Sequence, residues 1–230
     1  AGTVAVILAW WTFNLIEARP PLPEPASNIS LRTAQGDWAM AQRNNFHTGA
    51  VPGPSFDPEG TIAWTFKADG QILASPVVAD GVVFVNTNDR RVVALDAITG
   101  DTIWEHPVEV QANSTPSVAA DMVYVGTRDG TMLALDRHTG VVVWKYKTGA
   151  AIYGSATVVD GAIYFGSSDH NIYALDALTG EFRWLKETEN WVVASPTVEQ
   201  GILMVGGQDG ELYMLDANNG TVRLHVDMGS

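Results

Sequence analysis

A repeat of 40 residues constrains this chain more than any other feature of its sequence. The hexapeptide Leu-Asp-x-x-x-Gly recurs with no insertion between copies, and a tryptophan keeps the same step. The hexapeptides begin at Leu95, Leu135, Leu175 and Leu215, and the tryptophans are Trp64, Trp104, Trp144 and Trp184. Because chance does not produce such a register over four copies, the chain is built from copies of one structural unit. The copies are residues 61–100, 101–140, 141–180 and 181–220.

Each copy has the composition of several short strands joined by tight turns. In the third copy, residues 161–166 and 171–175 are rich in β-branched and aromatic side chains and are separated by a polar turn. Asp-Gly pairs, which tolerate positive φ, stand at 80–81, 129–130, 160–161 and 209–210. No window shows the period of an amphipathic helix. Since one four-stranded sheet cannot bury both faces alone, the sequence predicts an all-β fold, a β-propeller of four-stranded antiparallel blades.

The first copy contains A-L-D-A-I-T-G-D-T-I-W, which resembles the tryptophan-docking motif A-x-D-x-x-x-G-x-x-x-W of the PQQ-like (pyrroloquinoline quinone dehydrogenase-like) β-propeller repeat family. The fourth copy departs from the motif, with Met214 for the alanine and Leu224 for the tryptophan. The matching residues are Ala94, Asp96, Gly100 and Trp104; Ala134, Asp136, Gly140 and Trp144; and Ala174, Asp176, Gly180 and Trp184. The resemblance covers residues 37–226. It implies a ring of seven or eight blades, of which this chain, incomplete as given, supplies about four; a genuine four-bladed ring is the alternative.

Elementary energetics favour a structural role for the motif. A buried tryptophan removes about 150–250 Å² from water, and alanine and glycine leave room for the indole between adjacent sheets. The tryptophans, Trp64 included, are therefore interpreted as contacts that hold blades together rather than as a platform for a ligand. The motif aspartates precede turns, where a carboxylate accepts backbone N–H bonds, so we expect capping rather than metal binding.

The N-terminal part of the chain divides into three segments before the repeats at 61–230. Residues 1–16 are apolar and are interpreted as part of a transmembrane anchor; a signal-peptide core and an apolar helix docked on the fold are the alternatives. Residues 17–36 form a proline-rich linker. Residues 37–60 resemble the segment that precedes the first blade in PQQ-like repeat proteins. This order predicts a membrane-anchored propeller on the extracytoplasmic side of the cell envelope, in the periplasm or outside the cell.

Charge and missing residue types exclude several functions. A formal charge of −13 repels a phosphate backbone, so no nucleic-acid partner is expected. The absence of cysteine excludes thiolate zinc sites, iron–sulfur clusters and cysteine nucleophiles within these 230 residues. The common nucleophile, zinc and phosphate motifs are also missing. The histidines occur singly, and those within the repeats are interpreted as loop or surface residues. They are His106, His138, His170 and His225.

In a repeat scaffold we expect function in the segments that differ between copies. These segments are 67–73, 105–113, 145–153 and 185–193, which are predicted to join the outer strand of one blade to the inner strand of the next, on one face of the disc. The fourth segment is the most distinctive, because an aromatic residue stands beside carboxylates. The candidate partner-binding residues are Trp191, Glu187, Glu189, Asn190, Tyr153 and Asn113. A solvated loop with a packing tryptophan is the alternative.

The sequence therefore predicts a non-catalytic scaffold that binds a protein or peptide partner, similar to non-catalytic family members such as the outer-membrane barrel-assembly lipoprotein. No cofactor is expected. The first alternative is a fragment of a PQQ-dependent alcohol or sugar dehydrogenase, for which the resemblance implies PQQ and calcium in the central funnel. The second alternative is the extracytoplasmic sensor domain of a membrane kinase.

Overall fold

The computed structural model describes residues 3–4 and 62–228. All regular structure in these ranges is β-strand, arranged as four antiparallel four-stranded sheets and one two-stranded pair. Blade 1 contains β3 (Val77–Ala79), β4 (Val82–Thr87), β5 (Arg91–Asp96) and β6 (Thr102–Pro107). Blade 2 contains β7 (Ser117–Ala119), β8 (Met122–Gly126), β9 (Thr131–Asp136) and β10 (Val142–Lys147). Blade 3 contains β11 (Thr157–Val159), β12 (Ala162–Ser167), β13 (Asn171–Asp176) and β14 (Phe182–Glu187), and blade 4 contains β15 (Thr197–Glu199), β16 (Ile202–Gly206), β17 (Glu211–Asp216) and β18 (Val222–Asp227).

The order of strands within each blade follows the chain, which confirms the predicted fold class. Each blade begins on a three-residue inner strand and ends on a six-residue outer strand that carries the motif tryptophan or its substitute Leu224. The first turn of blade 1 has φ of 46° at Asp80 and 74° at Gly81, the geometry that Asp-Gly pairs favour in two-residue hairpins. The inner strands of successive blades contact one another. Among the described residues, those of blades 1 and 4 do not, so the four sheets do not close a ring.

The outer strand of every blade bulges one residue before the motif position. In blade 2, Val142 pairs with Leu135 and Trp144 pairs with Ala134, which leaves Val143 opposite no partner residue. The same shift occurs in the other three blades. A bulge increases local twist and re-aims the following side chain. Here the side chain that follows, in blades 1 to 3, is the tryptophan that contacts the next blade.

The hydrophobic core lies between the blades rather than within any one of them. Three clusters join blade 1 to blade 2, blade 2 to blade 3 and blade 3 to blade 4, and a fourth covers the free side of blade 1. Hydroxyl groups on the inner strands add polar links between blades. Ser117 Oγ donates to the carbonyl of Ala156 at 2.6 Å, and Thr157 Oγ1 donates to that of Pro196 at 2.5 Å. Each blade is therefore stabilised by its neighbours, as expected of a repeat protein.

A short strand pair precedes the first blade. Residues Thr3–Val4 (β1) pair antiparallel with Phe66–Lys67 (β2), and Trp64 covers the free side of blade 1. Apart from these two residues, the sequence-predicted anchor at 1–16, the linker at 17–36 and the segment at 37–60 lie outside the described residues. Within the described ranges there is no helix with the length and apolarity that a membrane crossing requires.

Candidate protein-binding face

Each motif tryptophan lies on the glycine of the following repeat. A methyl group added to Gly140 would stand 2.6 Å from Cε3 of Trp104, and one added to Gly180 would stand 2.6 Å from Cδ2 of Trp144. The indole N–H of Trp104 donates to the carbonyl of Arg137 at 2.8 Å. The same pattern joins Trp64 to Gly100 and Ala97, Trp144 to Gly180 and Ala177, and Trp184 to Gly220 and Ala217. The motif alanines Ala94, Ala134 and Ala174 are fully buried, each opposite the tryptophan of its own blade.

In two blades a tyrosine shares the tryptophan's acceptor. The carbonyl of Ala177 accepts bonds from Trp144 Nε1 at 2.9 Å and from Tyr124 Oη at 3.0 Å. Tyr164 stands in the same relation to Trp184 and the carbonyl of Ala217. Burial is the main cause that raises the pKa of the Tyr164 phenol to about 12. In blade 1 the equivalent residue is Phe84, which contacts Trp104 but has no hydroxyl to donate.

The motif aspartates cap the turns that follow them. Oδ1 of Asp96 accepts the backbone N–H of Ile98 at 2.8 Å and that of Thr99 at 2.9 Å. Asp136 and Asp176 make the equivalent bonds two and three residues ahead. Burial acts to raise the pKa of both carboxyls. It is outweighed by hydrogen bonds, from Thr139 and His138 for Asp136 and from Arg183 and Thr179 for Asp176, so both pKa values lie below the usual range.

A second aspartate series ties the connections between blades to the next blade. Asp169, in the turn between the second and third strands of blade 3, accepts the backbone N–H of Gly149 at 2.7 Å. Asp209 accepts that of Glu189 at 3.2 Å in blade 4, and Asp89 accepts that of Asp69 in blade 1. These turns and the connections therefore lie at the same edge of the sheets and form one face, which we call the connection face.

Three of the candidate partner-binding residues, which are consecutive in the chain, lie on this face. Asn190 donates from Nδ2 to the carbonyl of Gln208 at 3.3 Å and accepts the N–H of Trp191 at 2.8 Å. The carbonyl of Trp191 accepts the N–H of Gln208 at 2.8 Å. Glu189 is fixed by Asp209, while the Trp191 side chain is 46% exposed. The backbone is thus held against blade 4 while the indole stays open to solvent.

Of the other candidates, Glu187 lies two residues before this group, whereas Tyr153 and Asn113 lie on earlier connections. Glu187 is exposed at the end of β14, opposite Asn171. Tyr153 occupies the connection between blades 2 and 3, with its ring 37% exposed. Asn113 occupies the equivalent position between blades 1 and 2, where its Oδ1 is buried without a hydrogen-bond partner. Tyr153 and Asn113 therefore share one repeat position, whereas Trp191 occupies another, where the two preceding connections have Ala151 and Gln111.

Among the described residues, the carboxylate of Asp129, which the sequence did not single out as a site residue, has a strongly lowered pKa. Lys147 Nζ lies 2.6 Å from Asp129 Oδ2, and the hydroxyls of Thr127 and Thr131 bond to the same carboxylate. Although burial acts in the opposite direction, these bonds lower the pKa of Asp129 to about 2. The pair cannot be recognised from neighbouring residues, because Asp129 and Lys147 are far apart in the sequence and meet only when β9 and β10 pair.

This shift predicts a loss of stability in acid. The folded pKa lies below the unfolded value of about 3.9, so the contribution is complete above about pH 4 and disappears as the pH falls towards 2. Allowing for solvent screening, we expect a contribution on the order of 1 kcal/mol. Urea unfolding between pH 5 and pH 2 measures it. Asp129→Asn and Lys147→Met should each flatten the pH profile, and identical slopes in all three proteins would contradict this assignment.

The described residues do not fit a calcium–quinone centre. Calcium takes six to eight oxygen ligands, usually with carboxylates among them, and within residues 62–228 no group of three His, Asp or Glu side chains is placed to hold a metal ion. The two aspartate series instead bond to neighbouring N–H, hydroxyl and cationic groups, as Asp169 with Gly149 and Tyr173 and Asp176 with Arg183 show. No chemical step is therefore assigned to a quinone in this part of the chain.

Comparisons with solved structures define the class of protein. BamB from Moraxella catarrhalis matches with a TM-score of 0.67 and 27% identity, over 74% of this chain and 54% of that one. Quinohemoprotein alcohol dehydrogenases from Pseudomonas putida HK5 and Comamonas testosteroni match with TM-scores of 0.74 and 0.72 at 20% and 21% identity. They cover 84% and 86% of this chain and 40% and 42% of theirs, and at these identities they show the fold alone. The four blades are thus part of a PQQ-like β-propeller.

Comparisons of sequence identify the family within that class. The profile of the family described as outer membrane protein assembly factor BamB matches residues 54–184 and 148–228, and the chain belongs to this family. BamB from Burkholderia pseudomallei is 37% identical over 60 residues, and BamB from Bordetella pertussis is 38% identical over 50 residues. These alignments span 25% and 22% of this chain but only 16% and 13% of the two relatives.

Proposed function

We propose that this chain is part of a non-catalytic scaffold of the cell envelope that binds a protein segment through its connection face. Membership of the family described as an outer membrane protein assembly factor supports the setting. The poor fit of the described residues to a calcium–quinone centre supports a binding role over an oxidative one. Extracytoplasmic placement and a membrane tether belong to the same proposal; because Thr3–Val4 pair with Phe66–Lys67, the tether is assigned to the rest of the apolar segment 1–16.

The arrangement of Trp191 is the observation that carries this proposal. Binding hot spots are enriched in tryptophan, because a large apolar side chain gains most when its position is fixed in advance. The Trp191 backbone is fixed to blade 4 by the bond from Gln208 and by Asn190, yet its indole is 46% exposed. Neighbouring Glu187 and Glu189 are exposed and leave the rim of this patch acidic. A partner segment that offers an apolar anchor flanked by basic residues complements it.

Binding of the purified chain to the outer-membrane assembly machinery from the same organism tests the proposal. Trp191→Ala should weaken binding by at least about 30-fold, the effect of a hot spot of about 2 kcal/mol or more. Its thermal midpoint should stay within a few degrees of the parent, since the side chain is half-exposed. Leu178→Ala is the matched control, because Leu178 is also exposed but lies in a turn at the opposite edge of the sheets. Equal affinity of the parent and Trp191→Ala would refute the proposed face.

A further inference from the structure

The clefts between neighbouring blades are built from equivalent positions, and the outer part of one cleft is filled by aromatic rings. Between blades 2 and 3, the rings of Tyr146 and Tyr173 meet edge to face with centroids 5.9 Å apart. Phe165 stacks on Tyr173 with centroids 5.4 Å apart. Phe165 and Tyr173 are both buried in the hydrophobic cluster between the two blades.

The equivalent cleft between blades 1 and 2 has no phenyl or phenol ring at the three corresponding positions. Forty residues before Tyr146, Phe165 and Tyr173 the chain has His106, Val125 and Leu133. A groove of about 370 Å³ remains, with His106 on the blade 1 wall and Leu133, Val142 and Lys145 on the blade 2 wall. We call this groove the rim cleft. Interpreted from sequence as a loop or surface residue, His106 in fact lies half-buried in β6.

The rim cleft contains the equivalent of the aspartate that accepts a tyrosine hydroxyl in blades 3 and 4. In blade 3, Tyr173 Oη donates to Asp169 Oδ2 at 2.7 Å, and in blade 4 Tyr213 Oη donates to Asp209 Oδ2 at the same distance. Blade 2 keeps the aspartate, Asp129, but has Leu133 where the phenol would start. Lys147 Nζ donates to Asp129 Oδ2 at 2.6 Å, so the carboxylate that accepts a phenol in blades 3 and 4 here accepts an ammonium. The acceptor is therefore present and the ring is absent.

We propose that the rim cleft binds a tyrosine side chain from a protein partner, with its ring between His106 and Leu133 and its hydroxyl at Asp129 and Lys147. The inference rests on the proposed function only in that the occupant belongs to a protein. The rim cleft specifies a tyrosine side chain, whereas the connection face specifies only an apolar anchor.

Three properties of the rim cleft select tyrosine over other side chains. A phenol hydroxyl donates and accepts, so it bonds to the Asp129 carboxylate and the Lys147 ammonium at once. Leu133 and Val142 provide an apolar wall for the ring. Lys145 is exposed on the same wall and has no ion pair among the described residues, which leaves its ammonium available to an aromatic face. Phenylalanine would satisfy only the apolar wall, and an aliphatic side chain would lack the flat ring.

Titration of the isotope-labelled full chain with N-acetyl-L-tyrosinamide, followed by NMR, tests the inference. We expect saturable shifts of the amide signals of Thr131, Leu133 and Lys147. N-acetyl-L-phenylalaninamide should bind at least about fivefold more weakly, and N-acetyl-L-leucinamide should give no saturable shift. Equal shifts with all three probes, or shifts confined to other residues, would overturn the proposal.

Two variants fill the rim cleft from opposite walls. Leu133→Tyr restores the residue of blades 3 and 4, and His106→Tyr restores that of blade 2. Each should reduce affinity for the tyrosine probe at least about tenfold without lowering the thermal midpoint, because each replaces empty space with a ring that the fold already accepts elsewhere. Should one variant fail to fold, the other still decides the question. Unchanged probe binding in a folded, filled variant would refute the site.

Trp191→Ala separates this inference from the proposed function. It lies on a different connection, so it should leave binding of the tyrosine probe unchanged while it weakens binding of the protein partner. If Trp191→Ala binds the protein partner as tightly as the parent does, and the tyrosine probe still binds, only the connection face is refuted. If Trp191→Ala weakens binding of the protein partner but the parent chain does not bind the tyrosine probe, only the rim cleft is refuted.

Discussion

Replacement of Trp144 with alanine is expected to cost about 3–5 kcal/mol of the free energy of unfolding, the usual range for a buried tryptophan. The indole lies between blades 2 and 3, on Gly180 and beside the ring of Tyr124 at 5.9 Å. Its removal leaves a cavity that two sheets cannot close without losing their register. Because Tyr124 Oη still bonds to the carbonyl of Ala177, most of the loss should come from packing rather than from an unpaired acceptor.

Urea unfolding followed by circular dichroism measures this loss, with two substitutions as controls. Trp144→Phe keeps a ring but not the N–H donor, so it should cost clearly less than alanine. Trp191→Ala removes the same number of atoms from an exposed site and should cost less than about 1 kcal/mol. A Trp144→Ala protein as stable as Trp191→Ala would show that this tryptophan does not hold the blades together.

The second large effect is expected at Gly140, where a single methyl group should destabilise the chain by about 2–5 kcal/mol. A left-handed conformation costs an alanine roughly 1–2 kcal/mol, and φ at Gly140 is 71°. The new methyl would also stand 2.6 Å from Cε3 of Trp104, and such overpacking typically costs about 1–3 kcal/mol. The tryptophan would have to leave its position on blade 2.

Gly81 provides a matched control for the backbone component. Its φ is 74°, but a methyl group there would meet no atom within 4 Å. Gly81→Ala should therefore show the conformational cost alone, and the difference between the two variants isolates the contact with Trp104. A double-mutant cycle sharpens the test, since Gly140→Ala should cost less in a Trp104→Ala background. Equal costs at Gly81 and Gly140 would contradict the proposed role of the glycine.

Each change acts on a single interface, Trp144 between blades 2 and 3 and Gly140 between blades 1 and 2, but the consequence extends further. A domain is stable by only about 5–15 kcal/mol, and in a stacked repeat each blade depends on its neighbours. Loss of one interface therefore removes a large share of the total. Substitutions on the outer turns, such as at Ile98 or Leu178, should be nearly neutral because these side chains are exposed.

The blades and their strand order could be predicted from the sequence because the relevant signals are local and repeated. Alternating apolar residues and Asp-Gly turns at a period of 40 leave room only for short antiparallel strands. The connection face also followed from the sequence, since a segment that joins an outer strand to the next inner strand must run along one edge of the sheets. The capping bonds of Asp96 depend on residues two and three positions ahead, and so they were visible as a pattern.

The partners of the side chains could not be predicted in the same way. Trp104 belongs to the same motif as Gly100, but it packs on Gly140, and Trp144 packs on Gly180. A period gives the step between copies but not which copy a side chain contacts. The rim cleft was hidden for the same reason, because His106 and Leu133 come from different blades and face each other only when the sheets stack.

The sequence by itself determined that this chain forms four similar four-stranded blades, since turn chemistry and strand patterning are properties of neighbouring residues. Only the tertiary structure decided which differences between the copies leave a side chain exposed or a cleft open. It fixed the Trp191 backbone while leaving its indole exposed, and it left the rim cleft open where the next cleft is filled by Tyr146 and Tyr173. The physical reason is that burial and empty space arise between sheets, where residues about 20 to 40 positions apart meet, and no local pattern records which side chains fill that space.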